Sequence, residues 1–214
     1  MNITLYYAPI SCALVPYVTL TETGAPFEVK PINLRSAQQM SPEYLKLNPK
    51  HKVPVLVVDG KTLTENIAIQ SFIARAFPKA KLLPEDPWQN AQAFSLMSWC
   101  SAGIHPHLSR INSPQKFCDV PGTDESVKRL ASEEIVKSFK LLDGKLAGHD
   151  YFFDHFTAAD AYFYWCMRRA QQLGVPLSGF ANAQAHFARM ENRDSVKKVL
   201  AFETSTQAAF AKAA

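Results

Sequence analysis

Three short segments carry residue types that can do chemistry together. The first is Tyr7-Ala8-Pro9-Ile10-Ser11-Cys12, where a β-rich stretch runs into a helix. Backbone N–H groups at a helix start favour negative charge by about 0.3–2 kcal/mol. A thiol of pKa about 8.5 would fall there by about 0.2–1.5 pH units, so that a thiolate is well populated near neutrality. That thiolate is either the one of Cys12 or one brought by a ligand. Ser11 does not ionise usefully, but its hydroxyl can donate a hydrogen bond to such a sulfur. Tyr7 offers a rival hydroxyl at the same strand end, although an aromatic in a strand also serves as core. The plainer reading is that Ser11 caps the helix and Cys12 fills space.

The second segment is Asn48-Pro49-Lys50-His51-Lys52-Val53-Pro54-Val55-Leu56. Pro54 stands at the mouth of an apolar strand, where a missing ladder donor is tolerated and a cis bond is plausible. The carbonyl and N–H of Val53 are then open to pair with an extended peptide ligand. His51 or Lys52 can meet a carboxylate, and each alone also reads as a solvated surface residue. The third segment is Thr64-Glu65-Asn66-Ile67-Ala68-Ile69, the opening of a helix. Glu65 suits a first turn by itself; as a site residue it would hold a ligand ammonium, while Asn66 and nearby N–H groups hold a carboxylate.

The elements that must position these segments follow from patterning. Residues 3–7 read as a strand, Cys12 to Thr23 as a helix closed by Gly24, and Phe27 to Ile32 as a parallel partner strand. Ser41-Pro42-Glu43 opens a short helix that Asn48-Pro49 breaks. Val53 to Val58 is a strand, Asp59-Gly60 a two-residue hairpin turn and Lys61 to Leu63 its antiparallel return. Ile69, Phe72, Ile73 and Ala76 then recur at helical spacing. This βαβαββα order is that of a thioredoxin-like α/β domain, residues 1–80. Prolines at 78, 84 and 87 mark the boundary. Residues 88–214 read as an all-helical domain, with helices at 88–111, 124–146, 158–173, 181–190 and 195–212 and a kink or end at Pro106.

Composition sets the outer limits. The 214 residues are 47% hydrophobic and 20% charged, which excludes disordered and fibrous classes. A net charge of +4 with scattered lysines and arginines argues against nucleic acid as partner. No apolar run spans a bilayer, and the start of the chain lacks signal-peptide features, so a soluble protein is expected. The four cysteines are widely spaced with no C-x-x-C pair, which fits a reducing cytoplasm and no metal site. His105 and His107 lack a third ligand, so no metal is expected there either.

In order and spacing the three segments resemble the glutathione site of the glutathione transferase family, most of all its bacterial beta class, which carries a cysteine where Cys12 stands. The similarity runs the whole length of the chain. Phe156-Thr157-Ala158-Ala159-Asp160 resembles the family's buried capping box and staple, a folding element. The resemblance implies that Val53 and Pro54 pair with the cysteinyl backbone of glutathione, that Glu65 and Asn66 grip its γ-glutamyl end, and that His51 or Lys52 takes its glycine carboxylate. It gives Cys12, Ser11 and His105 catalytic positions, with Tyr7 at the ligand. His51 and Ser11 match delta- and theta-class residues, so signals of two lineages mix. Ile10 stands where the beta pattern has glycine, and Asn66 where a serine is usual. The function implied is addition of the glutathione thiolate to a small hydrophobic electrophile by a homodimer, in detoxification. The alternatives are thiol–disulfide, peroxidase or dehalogenase chemistry through Cys12, or a non-catalytic ligand-binding protein.

Overall fold

A computed structural model describes residues 1–212. It divides into two compact units, residues 1–82 joined by the stretch from Asn192 onward, and residues 83–191.

The first unit is built on a four-stranded mixed sheet. Strand β1 (Ile3–Tyr7) lies parallel to β2 (Glu28–Pro31) on one side and antiparallel to β3 (Val55–Val58) on the other, and β4 (Lys61–Thr64) pairs with β3. The order is therefore β2-β1-β3-β4. Ile3, Leu5 and Tyr7 are buried while Thr4 and Tyr6 are half-buried, the period-two pattern of a strand. Asp59 and Gly60 both take positive φ, 46° and 79°, the geometry that a two-residue hairpin needs.

Helix α1 (Leu14–Thr23) buries every residue from Leu14 to Leu20 and ends on Gly24 in the left-handed conformation. It begins two residues later than the sequence implies, which leaves Cys12 in the turn before the helix. Helix α2 (Pro42–Leu47) starts as expected: Ser41 Oγ accepts from the Tyr44 N–H at 3.2 Å and Pro42 occupies the first turn. Helix α3 (Asn66–Ala76) follows the hairpin directly. Strand β3 starts at Val55 rather than Val53, because Pro54 gives the ladder no donor.

The second unit is helical. Helix α4 (Pro87–Ser98) passes into a π-helical turn, Trp99–Ile104, and then into α5 (His105–Asn112), with Pro106 in its first turn. The single helix expected over 88–111 is thus two helices joined by a wider turn. Helices α6 (Asp124–Lys145), α7 (Ala158–Gln172) and α8 (Ala181–Glu191) complete it. Its core centres on α7, where Ala158 to Met167 are all buried and Phe163 packs 5.2 Å from Phe139.

The last helix, α9 (Asp194–Lys212), is where the structure departs from the sequence-derived boundary. It packs on α1 and belongs to the first unit, not to the helical one. Phe202 lies 5.6 Å from Tyr7 and 5.5 Å from Tyr17, and Tyr17 lies 5.4 Å from Phe27, an aromatic group worth about 0.5–1.5 kcal/mol per pair beyond area burial. Arg193 and Ser195 both bond the Glu22 carboxylate, which fixes the start of α9 against the end of α1.

Candidate active site

The turn between β1 and α1 is shaped by its own hydrogen bonds. Ser11 Oγ donates to the Ala8 carbonyl at 2.7 Å and accepts from the Ala13 N–H at 3.2 Å. Ile10, a β-branched residue, is held at φ 69°. Cys12 is 7% exposed, and its Sγ lies 3.8 Å from the Val53 carbonyl, to which it donates. The first and second segments of the sequence thus meet at the sulfur.

The charge on that sulfur corrects the expectation of a low thiol pKa. Burial pushes the Cys12 thiol up to about 12, against smaller downward effects from the Asn66 side chain and the backbone at Cys12. Glu65 adds a further upward push. Desolvation wins because Cys12 is buried and stands ahead of the first residue of α1, where helix N–H groups would have favoured a negative charge.

The loop before β3 is fixed from beneath. The Tyr44 hydroxyl donates at 2.7 Å, and Asn48 Nδ2 at 2.8 Å, to the Lys52 carbonyl. Asn48 is 1% exposed, so these bonds are made inside the fold. The Val53-Pro54 peptide is cis, and Val53 stands two residues ahead of the β3 ladder. His51 and Lys52 are exposed, with His51 at φ 48°.

The third segment meets the first from the other side. Asn66 Nδ2 donates to the Cys12 carbonyl at 2.8 Å, and its Oδ1 accepts from Gln70 Nε2 at 3.2 Å. Gln70 Oε1 in turn accepts from Thr19 Oγ1 at 2.8 Å. This buried chain ties α3 to α1 and occupies the Asn66 side-chain amide; the first backbone N–H groups of α3 have no acceptor within the helix itself. Glu65 sits just before them at φ 71°, a conformation that costs a non-glycine residue about 1–3 kcal/mol. Its carboxylate is exposed and pairs with Lys50 Nζ, which also donates to Thr64 Oγ1 at 3.0 Å.

Tyr7 is placed differently from its expected role at the ligand. It is fully buried, and its hydroxyl donates to Glu203 on α9 at 2.8 Å. His105 stands in the helical unit at the start of α5, with its ring 4.5 Å from that of Trp165. Beside the β1–α1 turn the first unit holds a cavity of about 490 Å³, bounded by Pro9 and Ile10, by Leu34 and Arg35 after β2, and by Gln207 and Phe210 of α9.

Sequence reasoning missed Lys50, Tyr44, Asn48 and Glu203. Asn48 carried a signal, as an asparagine where a helix breaks; Tyr44 bonds Lys52 eight residues on and Lys50 pairs with Glu65 fifteen residues on, without a local spacing that names either partner, and Glu203 meets Tyr7 196 residues back. Among the described residues no group of three or more His, Cys, Asp or Glu side chains is arranged to hold a metal ion. No described helix is long and apolar enough to cross a membrane.

A sheet of this topology, with a thiol-bearing turn, a cis-proline loop and a strained helix start gathered at one end of its strands, defines a thioredoxin-like unit. Family models place the chain further. Residues 1–75 match the glutathione S-transferase N-terminal domain and residues 98–194 the C-terminal domain. Glutathione S-transferase GST-4.5 of Xanthomonas campestris pv. campestris is 30% identical over 87% of this chain and 91% of its own. Among solved structures, a glutathione S-transferase from Xylella fastidiosa is similar at TM-score 0.89 and 26% identity, covering 95% of this chain and 99% of that one. A sphingomonad glutathione S-transferase complexed with glutathione is similar at TM-score 0.82 and 29% identity, covering 94% and 98%. The chain belongs to the glutathione S-transferase family.

Proposed function

We propose that this member of the family binds glutathione beside the loop before β3, at one end of the sheet, and joins it through its thiolate sulfur to a small apolar electrophile. The observation that carries the reading is the convergence on Cys12: its sulfur lies 3.8 Å from the Val53 carbonyl and its own carbonyl accepts from Asn66 at 2.8 Å. In this reading the backbone of Val53 pairs with the cysteinyl residue of the tripeptide, Pro54 shapes that loop, and Glu65 takes the γ-glutamyl ammonium. The Lys50–Glu65 pair supports the last role. It is a carboxylate already matched to an ammonium, and both side chains are exposed, so the pair is worth only about 0–1 kcal/mol and yields readily to a ligand. The α3 N–H groups, with Asn66 contributing its backbone, hold the γ-glutamyl carboxylate, and His51 or Lys52 takes the glycine carboxylate.

Chemistry then runs through the ligand's thiol. A neutral Cys12 is a donor to a neighbouring thiolate, not a nucleophile, and a rotation of the Ser11 hydroxyl away from the Ala8 carbonyl supplies a second donor. Such donors favour the charged sulfur over the thiol, whose proton passes to water; the thiolate then attacks the electrophile, forming the carbon–sulfur bond as the leaving group departs with the bonding pair. The cavity beside Ile10 and Phe210 is the proposed seat of the acceptor within this unit. Tyr7 serves here by holding the turn rather than by touching sulfur. The protein is further proposed to act as a homodimer in a reducing cytoplasm, in detoxification; four free cysteines support that compartment.

The test is conjugation of glutathione to a generic aryl halide. Ser11→Ala and Cys12→Ala are each expected to retain binding and to lose turnover by roughly ten- to a hundredfold, the worth of one hydrogen bond to a charged group. Turnover that vanishes only in Cys12→Ala, together with an isolated mixed disulfide, would replace conjugation by thiol–disulfide chemistry.

A further inference from the structure

The turn that carries Ser11 and Cys12 is held from a distant part of the chain. Glu203 Oε2, on α9, accepts from the Ile10 N–H at 2.8 Å and from the Tyr7 hydroxyl at 2.8 Å. Glu203 is 3% exposed and Tyr7 fully buried, so both bonds are made away from solvent. A buried carboxylate is costly unless it is well bonded, and removing its partners exposes that cost. Ile10 is the residue that needs such a hold. Its φ of 69° is a genuine outlier for a β-branched side chain and persists only where the surroundings over-determine it. The next two residues are Ser11 and Cys12, and Ser11 N–H continues the turn by donating to the Ala8 carbonyl at 3.2 Å.

We infer that Glu203 is a positioning residue: from α9 it fixes the backbone of the 8–12 turn, and so keeps Cys12 buried and Ser11 and Cys12 registered for the sulfur. The inference rests on the proposed function for its consequence in turnover, but not for its consequence on Cys12 itself. With the carboxylate gone, Ile10 relaxes toward ordinary φ, the turn opens and the Cys12 thiol regains water. Regained hydration lowers its pKa from the value burial imposes and raises its reactivity toward alkylating agents.

Two readouts on the full chain test it. The first needs no glutathione: iodoacetamide alkylation of each cysteine is followed by peptide mass spectrometry. Glu203→Met is expected to alkylate at Cys12 about tenfold faster than the parent protein, the worth of one charge-assisted hydrogen bond. Cys118, in the helical unit, keeps its rate and serves as the control. Glu203→Gln, whose amide oxygen still accepts from both donors, restores the slow rate. The second readout is kinetic, on protein shown to be folded by far-ultraviolet circular dichroism and its urea midpoint: Glu203→Met lowers kcat for conjugation about tenfold and leaves KM for glutathione within about twofold, so that the loss lies in the folded enzyme and not in a smaller active fraction. Should Glu203→Met fail to fold, Tyr7→Phe removes one donor and speeds Cys12 alkylation in the same direction by a smaller factor. Alkylation of Cys12 at the parental rate in the folded variant overturns the inference. A parent protein without conjugation activity would instead sink the functional reading, and the alkylation rates would still decide the role of Glu203.

Discussion

At Cys12 two effects oppose each other, and their sizes decide the outcome. A helix start lowers a thiol pKa by at most about 1.5 pH units, whereas burial carries this one from 9.0 to about 12. The sequence revealed the address of the thiol but not its surroundings, since Val53 and Asn66, which meet the Cys12 sulfur and carbonyl, lie 41 and 54 residues further along the chain. A pH dependence follows. Below pH 9 the thiol is neutral whether folded or unfolded, and contributes no difference. Above pH 9 the unfolded thiol ionises while the folded one does not, so stability falls as pH rises toward 12, by up to about 1.4 kcal/mol per pH unit. Urea denaturation at pH 8 and pH 10 should show this loss, and Cys12→Ala should lose less between the same two pH values; equal losses would contradict the burial argument. Glu65 and the Val53-Pro54 pair were legible because their types and spacing form a motif. Lys50 was not, because nothing in its neighbourhood names Glu65 as its partner. Glu65→Ala should weaken glutathione binding by about tenfold, measured by calorimetry, and raise no cost in stability beyond about 1 kcal/mol. Unchanged affinity would remove Glu65 from the site.

Elements were legible where a local rule sets them and illegible where a turn widens. The Asp59-Gly60 hairpin, the Ser41-Pro42 helix start and the Gly24 stop all formed as local chemistry requires. The π-helical turn at Trp99–Ile104 did not announce itself, because apolar spacing is nearly the same through one wider turn. A single residue shows why it is tightly specified. A Cβ on Gly103 would lie 2.5 Å from Cδ1 of Trp99, so the indole packs where no other residue leaves room. Gly103→Ala should therefore cost about 1–3 kcal/mol by overpacking, and a second change, Trp99→Leu, should recover part of it; denaturant midpoints of the three proteins check both expectations. The start of α7 was readable from Thr157 and Asp160, though not its full load. Asp160 accepts from the Thr157 N–H and hydroxyl, from the Phe152 N–H and from His186 Nε2, all inside the fold. Asp160→Ala leaves these donors without their partner and should cost about 3–5 kcal/mol, seen as a fall in soluble yield and in the urea midpoint. A loss below about 1 kcal/mol would mean that water replaces the carboxylate there.

For the molecule as a whole, the order βαβαββα followed by helices was written in periodicity and punctuation, and the family models match residues 1–75 and 98–194 of it. The membership of α9 was not. Its apolar stripe reads like any other helix of the second half, and it is long-range contacts, Phe202 against Tyr7 and Tyr17, Glu203 on Ile10 and Arg193 on Glu22, that show the chain returning to the first unit. That return gives the thiol-bearing turn a support encoded almost two hundred residues away and forms one wall of the neighbouring cavity. The account as a whole depends on a tripeptide thiol lying beside Cys12 at that end of the sheet. Titration calorimetry with glutathione, paired with melting curves over the same concentrations, tests that most directly. The account predicts a saturable heat in the millimolar range or below and a melting temperature that climbs with ligand, reaching about 2.7 kcal/mol of added stability at a hundredfold excess over Kd. No heat and an unmoved melting temperature at about 10 mM glutathione, some tenfold above a millimolar Kd, would contradict it.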